Sequence, residues 1–304
     1  MGLTNSQTDG HGRPRPGVFR ALGNSSLPER VEVAGHSFEL VTVFKHDSWA
    51  GTGLYAGESG NVICKFHRQQ SIGGFPMHWL GYWLARHERD LLCRLSGLDG
   101  VPASLGSVCV DGVVQRHAIA REFVAGHALR SDDSGVPQFP LPENEATSGA
   151  TSFREDKTRQ DAFMKSLRTL IADVHDCDVA YTDLHKPENI ITGDDGRPHL
   201  IDFQISFGLP TGVLFQHGPA RWLLSVLQGC DRYHLQKLIV RHTHPDMPEP
   251  QRRLQYGRPA WIRCHRLIAI PFRSARRRLL VALGIRKGRG QVSTEFDPEV
   301  ALRA

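Results

Sequence analysis

Apolar residues in the first part of the chain follow the pattern of short β-strands separated by glycine-containing turns. Residues 38–44 (FELVTVF) have the composition of a strand, and residues 62–66 (VICKF) predict another. Between them, residues 51–56 (GTGLYA) predict a glycine-rich loop that leads into a short strand, followed by a turn at ESGN. Further along, residues 104–124 predict a hairpin. Residues 1–28 are rich in Gly, Pro, Ser and Asn without an apolar period, so they predict a mobile lead-in with no packed element.

Two later segments have the apolar spacing of helices. Residues 79–98 place leucines at positions 84, 91, 92 and 95, which lie on one helical face. Residues 163–174 restore this spacing after a polar, aperiodic stretch, residues 131–156, which predicts a loop or disordered insert. Antiparallel strands followed by helices are typical of an α+β fold, and this is the fold class we expect.

Composition narrows the class of protein. A chain of 304 residues with 40% hydrophobic content is long enough to bury a sizeable core. Its six cysteines form no CxxC pair, which argues against a zinc site and against a disulfide framework, and favours a reducing compartment. The sequence shows no apolar run of the ~18 residues that a membrane-spanning helix needs and no secretory leader pattern. We therefore expect a cytoplasmic protein.

Positive charge is concentrated near the C-terminus. Residues 251–290 contain twelve of the 37 Lys and Arg residues and no Asp or Glu, so the rest of the chain has 25 basic against 32 acidic residues. Two amphipathic basic helices are predicted there, at 261–270 and 272–283. We expect this segment either to bind an anionic membrane surface or to pack on the rest of the chain with its charges in water. Nucleic-acid binding is not expected, because no recognition motif accompanies the charge.

The stretch YTDLHKPENIITGDDGRPHLIDFQ, from Tyr181 to Gln204, spaces two carboxylates and an amide around a predicted hairpin. Asp183 and Asn189 precede its first strand and Asp202 follows its second, so the hairpin returns Asp202 to the neighbourhood of Asn189. Carboxylate and amide oxygens are ligands that suit Mg²⁺ on a nucleotide phosphate. The alternative is that Asp and Asn only stabilise turns, where both are common.

Glu88 is a candidate site residue because of its place on a predicted helix. It lies on the leucine face of the helix predicted at 79–98, where an ionised carboxylate is costly unless a cation pairs with it. Either a cation from another element pairs with Glu88, or Glu88 lies at the margin of the face and reaches water. The glycine-rich loop is followed by another strand and not by a helix, which disfavours a dinucleotide-binding fold.

Several short motifs together resemble the protein-kinase-like superfamily. They are AGTGLY, VICK, RHERDLL, DLHKPENI and LIDFQ, within residues 31–235. The chain looks most similar to a compact bacterial branch near the lipopolysaccharide core (Kdo and heptose) kinases and the RIO-type atypical kinases. The resemblance implies a two-lobed fold, with an antiparallel-sheet N-lobe at 29–122 and a small, mainly helical C-lobe at 123–250. The lead-in at 1–28 and the basic segment at 251–304 flank these lobes.

The resemblance also implies a role for each candidate residue, with ATP and Mg²⁺ as cofactors. The implied roles are a catalytic base (Asp183), a lysine near the transferred phosphate (Lys186), two Mg²⁺ ligands (Asn189 and Asp202), a lysine that orients the phosphates (Lys65) with Glu88 behind it, and a glycine loop that covers them (Gly51 and Gly53). A hinge strand at 114–124 would bind the adenine edge through backbone groups near Glu122 and Val124.

Three features depart from the protein-kinase pattern. Tyr181 and Thr182 stand where His-Arg usually precedes the base, and Gln204 replaces the glycine of the DFG motif. Asn189 follows Asp183 by six residues, where most kinases have five.

The sequence after residue 204 bears on which kind of molecule would accept the phosphate group. No APE motif or long activation segment follows, which favours a sugar or lipid hydroxyl over a peptide. We therefore expect an ATP-dependent kinase for a lipopolysaccharide-type sugar or lipid-linked acceptor, peripheral to the inner membrane. An atypical protein serine/threonine kinase is the first alternative, and a nucleotide-binding pseudokinase or scaffold is the second.

Overall fold

The computed structural model of the protein describes residues 17–72, 74–131, 137–138, 150–210 and 218–257. Within these ranges the chain forms 15 strands, four α-helices and two short 3-10 helices. This mixture of an antiparallel sheet with helices is the α+β class expected from the sequence.

The first eight strands form one sheet. They are β1 (Arg30–Val33), β2 (His36–His46), β3 (Ala50–Gly57), β4 (Gly60–His67), β5 (Ser104–Gly106), β6 (Val108–Val110), β7 (Val113–Val114) and β8 (Ala118–Glu122). Their order across the sheet is β5-β8-β4-β3-β2-β1-β6-β7, and the pairings are antiparallel. Strand β4 lies in the interior of the sheet, and its residues from Val62 onward are buried. The sheet therefore places Lys65, which β4 carries, inside the molecule.

The helices and the shorter strands follow or interrupt this sheet. The α-helices are α1 (His78–Arg94), α2 (Ala150–Asp176), α3 (Pro219–Thr243) and α4 (Glu249–Tyr256). The remaining strands are β9 (Gly126–Ala128), β10 (Arg130–Ser131), β11 (Pro137–Gln138), β12 (Val179–Ala180), β13 (Ile190–Gly193), β14 (Pro198–Leu200) and β15 (Phe207–Gly208). Strands β13 and β14 form the antiparallel hairpin predicted around the DLHKPENI and LIDFQ motifs, with Ile190 opposite Leu200.

The largest hydrophobic cluster joins helix α1 to the hairpin and to helices α2 and α3. It includes Leu91 and Leu92 of α1, Leu167 of α2, Leu200 of β14 and Leu235 of α3. A separate cluster covers one face of the eight-stranded sheet. Since α1 shares the larger core with the hairpin, its buried face is directed toward the residues that the hairpin carries.

Helix α1 was predicted at 79–98 and ends earlier, at Arg94. Leu95 is still fully buried in the core, so the apolar pattern continues past the helix end. The chain leaves the helical conformation here, and Gly97 has a φ of 93°, which favours glycine. The periodic pattern therefore identified the buried positions correctly and overestimated the helix length.

Helix α2 begins before the segment predicted at 163–174. Residues 150–156, the end of the insert expected at 131–156, are already helical, and β10 pairs with β11 inside that insert. The first turns of α2 are rich in good helix formers such as Glu155 and Lys157 but lack an apolar period. A prediction based on apolar spacing could detect only the segment in which that spacing is present, from residue 163 onward.

Residues 17–28 are packed, contrary to the lead-in expected at 1–28. Ala21 is fully buried, and its N–H donates to the backbone oxygen of Asp47 at 2.7 Å. Its carbonyl accepts from the N–H groups of Gln69 and Gln70, at 2.8 and 2.9 Å. Isolated apolar residues carry no periodic signal, which is why the sequence pattern missed this contact.

Leu27 occupies the space that side chains at positions 51 and 53 would fill. A Cβ placed on Gly51 would lie 2.7 Å from Leu27 Cδ1, and one on Gly53 would lie 3.0 Å from Leu27 Cδ2 and 2.9 Å from Leu40 Cδ1. Carbon atoms in ordinary contact are ~3.5–4.0 Å apart. The two glycines therefore allow the segment before β1 to pack closely on strand β3.

We expect Leu27→Ala to lower the free energy of unfolding by about 2–4 kcal/mol, because it removes a buried side chain and leaves a cavity above β3. Denaturant unfolding of the full chain would measure the change. Leu254→Ala is the matched control, since Leu254 is 85% exposed and should tolerate the same truncation. A loss no greater than that of the control would contradict the packing role of Leu27.

Helix α4 packs on α3 through Tyr256 and Tyr233, whose ring centroids are 5.8 Å apart. The domain boundary drawn at residue 250 therefore falls inside a packed helix. The basic helices predicted at 261–270 and 272–283 lie outside the described residues. Among the helices in the described ranges, none is long and apolar enough to cross a membrane.

Candidate active site

Lys65 connects the sheet, helix α1 and the segment after β14. Its Nζ lies 3.1 and 2.9 Å from the two carboxylate oxygens of Glu88 and 2.6 Å from Asp202 Oδ1. Glu88 is on the buried face of α1, so the alternative that it reaches water is not what the structure shows. The side chain of Glu88 is only 2% exposed, whereas that of Asp202 is 30% exposed. Glu88 is thus enclosed, whereas Asp202 is partly exposed to solvent.

Burial and pairing act in opposite directions on these three groups. Burial would lower the pKa of Lys65, but the carboxylates of Asp202 and Glu88 outweigh it and raise that pKa. Burial would raise the pKa of each carboxyl group, but the Lys65 ammonium holds the pKa of Glu88 and of Asp202 below its usual value. At neutral pH the cluster therefore holds one ammonium between two carboxylates.

Asp183 is the centre of a second cluster, in the loop before β13. Its Oδ2 accepts hydrogen bonds from Asn189 Nδ2 at 2.7 Å and from Lys186 Nζ at 2.9 Å. Its Oδ1 is buried and has no hydrogen-bond partner among the described residues, although His185 Nδ1 lies 3.2 Å away. A buried carboxylate oxygen without a hydrogen bond is costly, so Oδ1 keeps an unused capacity to accept one.

The hairpin brings the two clusters together. The N–H of Ile201, next to Asp202, donates to the backbone oxygen of Asn189 at 3.1 Å. The pKa of Asp202, which burial raises and Lys65 lowers most strongly, is also lowered by the more distant Lys186. Lys186 of the second cluster therefore lies within electrostatic reach of Asp202, which pairs with Lys65 in the first.

Asp231 of α3 supports the loop that carries Asp183, and sequence reasoning missed it. Its side chain is fully buried. Oδ2 accepts from the Tyr181 N–H at 2.7 Å, and Oδ1 accepts from the Thr182 N–H at 2.8 Å. His175 Nε2 lies 3.1 Å from Oδ2. A carboxylate on the apolar face of a helix was the available signal, and it is the same signal that drew attention to Glu88.

Tyr181 and Thr182, which replace the usual His-Arg, tie the loop to the segment after β14. The Tyr181 hydroxyl donates to the backbone oxygen of Ile201, and burial raises the pKa of this phenol well above its usual value, so it stays protonated. Thr182 Oγ1 donates to the backbone oxygen of Ile205 at 2.9 Å, and Ser206 Oγ donates to that of Tyr181 at 2.8 Å. The altered dipeptide thus has its own set of scaffold contacts.

Two residues beside the clusters have left-handed backbone conformations. The φ angles of Thr182 and Asp202 are 64° and 62°, which non-glycine residues rarely adopt. Such conformations cost of order 1–3 kcal/mol each and persist only where the surroundings hold them, commonly at functional sites. The hydrogen bonds of Thr182 to Asp231 and Ile205, and that of Asp202 to Lys65, are the contacts that hold them here.

Gly51 and Gly53 do not form the glycine-rich loop expected at 51–56. They lie in strand β3, which is paired with β2 on one side and with β4 on the other. The turn between β2 and β3 precedes them, at residues 47–49. Because a central strand uses its backbone N–H groups in two ladders, these glycines do not offer a row of N–H groups to a phosphate. Their structural requirement is the contact with Leu27.

The residues predicted to bind adenine through the backbone have intramolecular contacts. The N–H of Glu122 donates to the backbone oxygen of Ala103 at 3.0 Å, and its carbonyl accepts from Arg121 at 2.8 Å. Val124 is buried in a small apolar cluster with Ile191 and Ile201. Neither backbone group of Glu122 is thus left without a partner for a ligand edge.

The two residues predicted to bind magnesium, Asn189 and Asp202, both carry side-chain oxygen atoms. Among the described residues, no group of three or more His, Cys, Asp and Glu side chains is arranged to hold a metal ion alone. Asn189 uses its amide nitrogen to bond Asp183, and its amide oxygen is a hard donor of the kind that Mg²⁺ prefers. Mg²⁺ in phosphate-transferring sites is typically bound by one or two such protein oxygens together with substrate phosphates and water.

Comparison with known proteins does not place the chain in a family. It matches no protein-family model, and a search of curated proteins finds no significant match.

Proposed function

We propose that the protein is an ATP-dependent kinase with a two-lobed, protein-kinase-like fold. The observation that carries the proposal is the convergence of two clusters on one hairpin, with Lys65, Glu88 and Asp202 in the first and Asp183, Lys186 and Asn189 in the second. If Asp and Asn only stabilised turns, there would be no reason for the buried Lys65 to bridge two carboxylates, those of Glu88 and Asp202, that are far apart in the sequence.

The proposal assigns the two lobes to different elements of the α+β fold. The eight-stranded sheet with α1 would be the N-lobe, and α2, α3 and the β13–β14 hairpin would be the C-lobe. The candidate residues lie where these parts meet, since Lys65 belongs to the sheet and Asp202 follows the hairpin. A site between two structural units is a common location for small-molecule ligands.

Phosphoryl transfer requires alignment and charge neutralisation more than covalent help from the protein. Mg²⁺ bound with ATP supplies charge neutralisation on the phosphates. Asp202 and Asn189 would hold the ion, and Lys65, positioned by Glu88, would orient the phosphate oxygens. Asp183 Oδ1 would accept the hydrogen bond of the acceptor hydroxyl and take its proton as the oxygen attacks the γ-phosphorus and ADP leaves.

The acceptor that we propose is a hydroxyl of a lipopolysaccharide-type sugar or a lipid-linked molecule. The support is the short connection between Asp202 and helix α3, which begins at Pro219. This length leaves little chain for a platform that docks a peptide. A protein serine or threonine would be the acceptor under the first alternative.

The first experiment supplies γ-labelled ATP and Mg²⁺ to the purified full chain with lipopolysaccharide precursors or with a generic protein substrate. We expect transfer to the glycolipid and its loss when EDTA removes the metal.

Asp202→Asn should weaken Mg²⁺-dependent ATP binding by about tenfold or more, since even changes around metal ligands have effects of this size. Asp99→Asn is the matched control, because the side chain of Asp99 is 91% exposed.

The outcomes separate the alternatives. Transfer only to protein would replace the glycolipid acceptor with a protein one. Magnesium-dependent ATP binding without transfer to either acceptor would favour the pseudokinase or scaffold. Absence of ATP binding would contradict the proposed function.

A further inference from the structure

Lys45 lies in one row with Lys65 across three neighbouring strands. In the sheet register, Lys45 of β2 is opposite Thr52 of β3, and Thr52 is opposite Lys65 of β4. Directly opposed residues of antiparallel strands have their side chains on the same face of a sheet. Two lysines therefore flank one threonine hydroxyl on a single face.

This face is the one that looks onto the candidate active site. Lys65 marks it, because its Nζ reaches Asp202 Oδ1 at 2.6 Å. Lys45 belongs to the same row, two strands away from Lys65. A second cation thus lies on the face that carries Lys65.

The ammonium of Lys45 is paired with Asp47, in the turn between β2 and β3. Its Nζ lies 2.9 Å from Asp47 Oδ2, and its side chain is 34% exposed. The other oxygen of Asp47 accepts the N–H groups of Trp49 and Ala50, at 2.6 and 2.9 Å, and so fixes the turn between β2 and β3. Lys45 is therefore preorganised and still accessible.

We propose that Lys45 binds the phosphates of the nucleotide together with Lys65, with the Thr52 hydroxyl between them. This inference rests on the proposed function and adds a phosphate-binding residue to it. A nucleotide triphosphate carries several negative charges, and Gly51 and Gly53 direct their backbone groups to neighbouring strands instead of to a loop. A second lysine supplies the attraction that a backbone N–H cradle provides elsewhere.

Because Lys45 forms an ion pair with Asp47, substitutions at these two positions should have different effects on nucleotide binding. Lys45→Met removes the ammonium and should weaken Mg²⁺–ATP binding by about tenfold. Asp47→Asn keeps an oxygen for the Trp49 and Ala50 N–H groups but removes the charge that competes for Lys45. Binding to Asp47→Asn should therefore be unchanged or tighter. Lys165→Met, on the exposed side of α2, is the matched control.

Calorimetric titration of the full chain with adenosine, AMP, ADP and Mg²⁺–ATP would measure the affinity for each ligand. If Lys45 had a purely structural role, its substitution would not change these affinities according to the number of phosphates. The loss caused by Lys45→Met should grow with the number of phosphates and be absent for adenosine. Thermal unfolding of each variant, without nucleotide, would show that the fold is retained.

The results distinguish failure of this inference from failure of the proposed function. If the wild type does not bind Mg²⁺–ATP, the proposed function itself is contradicted. If the wild type binds but Lys45→Met matches Lys165→Met, only the role of Lys45 is overturned. Equal weakening by Lys45→Met and Asp47→Asn would also overturn it, because the lysine would then act through the turn.

Discussion

Replacing Asp183 with Asn is expected to reduce phosphate transfer by about 10²–10⁴-fold, the range typical for loss of a general base. Asn keeps an oxygen for the bonds from Asn189 and Lys186. Its amide nitrogen then takes the place of Oδ1, the buried oxygen without a hydrogen-bond partner. A donor would thus face the acceptor hydroxyl where a proton acceptor is required.

The rate of transfer to the glycolipid and the affinity for Mg²⁺–ATP should respond differently to this change. We expect the rate to fall and the dissociation constant to change by less than about threefold, well under the loss in rate, because Asp183 is proposed to contact the acceptor and not the nucleotide. Asp99→Asn tests for a general effect of removing a carboxylate. A variant at position 183 that transfers phosphate as fast as the wild type would exclude Asp183 as the base.

Asp231→Ala is expected to cause the largest loss of stability, about 3–6 kcal/mol. The substitution removes a fully buried carboxylate and leaves the N–H groups of Tyr181 and Thr182 without an acceptor. Each buried donor left without a partner costs about 1–3 kcal/mol, and hydrogen bonds to charged groups are the stronger ones. The loop that carries Asp183 would lose its anchor at the same time.

Chemical denaturation of the full chain would measure this loss. Gln236→Ala is the control, since Gln236 is an exposed residue of the same helix. Asp231→Asn should have an intermediate effect, because it keeps one oxygen acceptor but sets an amide N–H₂ against a backbone N–H. If Asp231→Ala lowered stability no more than Gln236→Ala, the three contacts of Asp231 would contribute nothing measurable.

Local physical rules predicted the parts of the site that carry their own signal. The need of Glu88 for a cation could be predicted because a carboxylate on an apolar helical face is costly without one, and the resemblance to kinases named Lys65 as the partner. The β13–β14 hairpin could be predicted because apolar strands enclose a Gly-containing turn. Both predictions depended on short segments in which the spacing of apolar residues indicates which face is buried.

The parts that sequence reasoning missed depend on contacts between distant segments. Asp231 accepts a hydrogen bond from the N–H of Thr182, which is 49 residues away in the sequence. No pattern in the residues around Asp231 indicates that partner. Lys45 is significant only through the register of β2 and β3, which a bulge shifts just before it. Register is set by the whole sheet, so the row formed by Lys45 and Lys65 could not be assigned from spacing alone.

The packing of Leu27 against Gly51 and Gly53 also changes how relatives of this chain should be recognised. The three positions share one volume, so their side-chain sizes are expected to covary: a larger residue at 51 or 53 should accompany a smaller one at 27. A glycine pair selected by packing says little about nucleotide chemistry. Aligned relatives should therefore be judged for shared function by the charged positions, Lys65, Asp183 and Asp202, and for shared architecture by this apolar triplet.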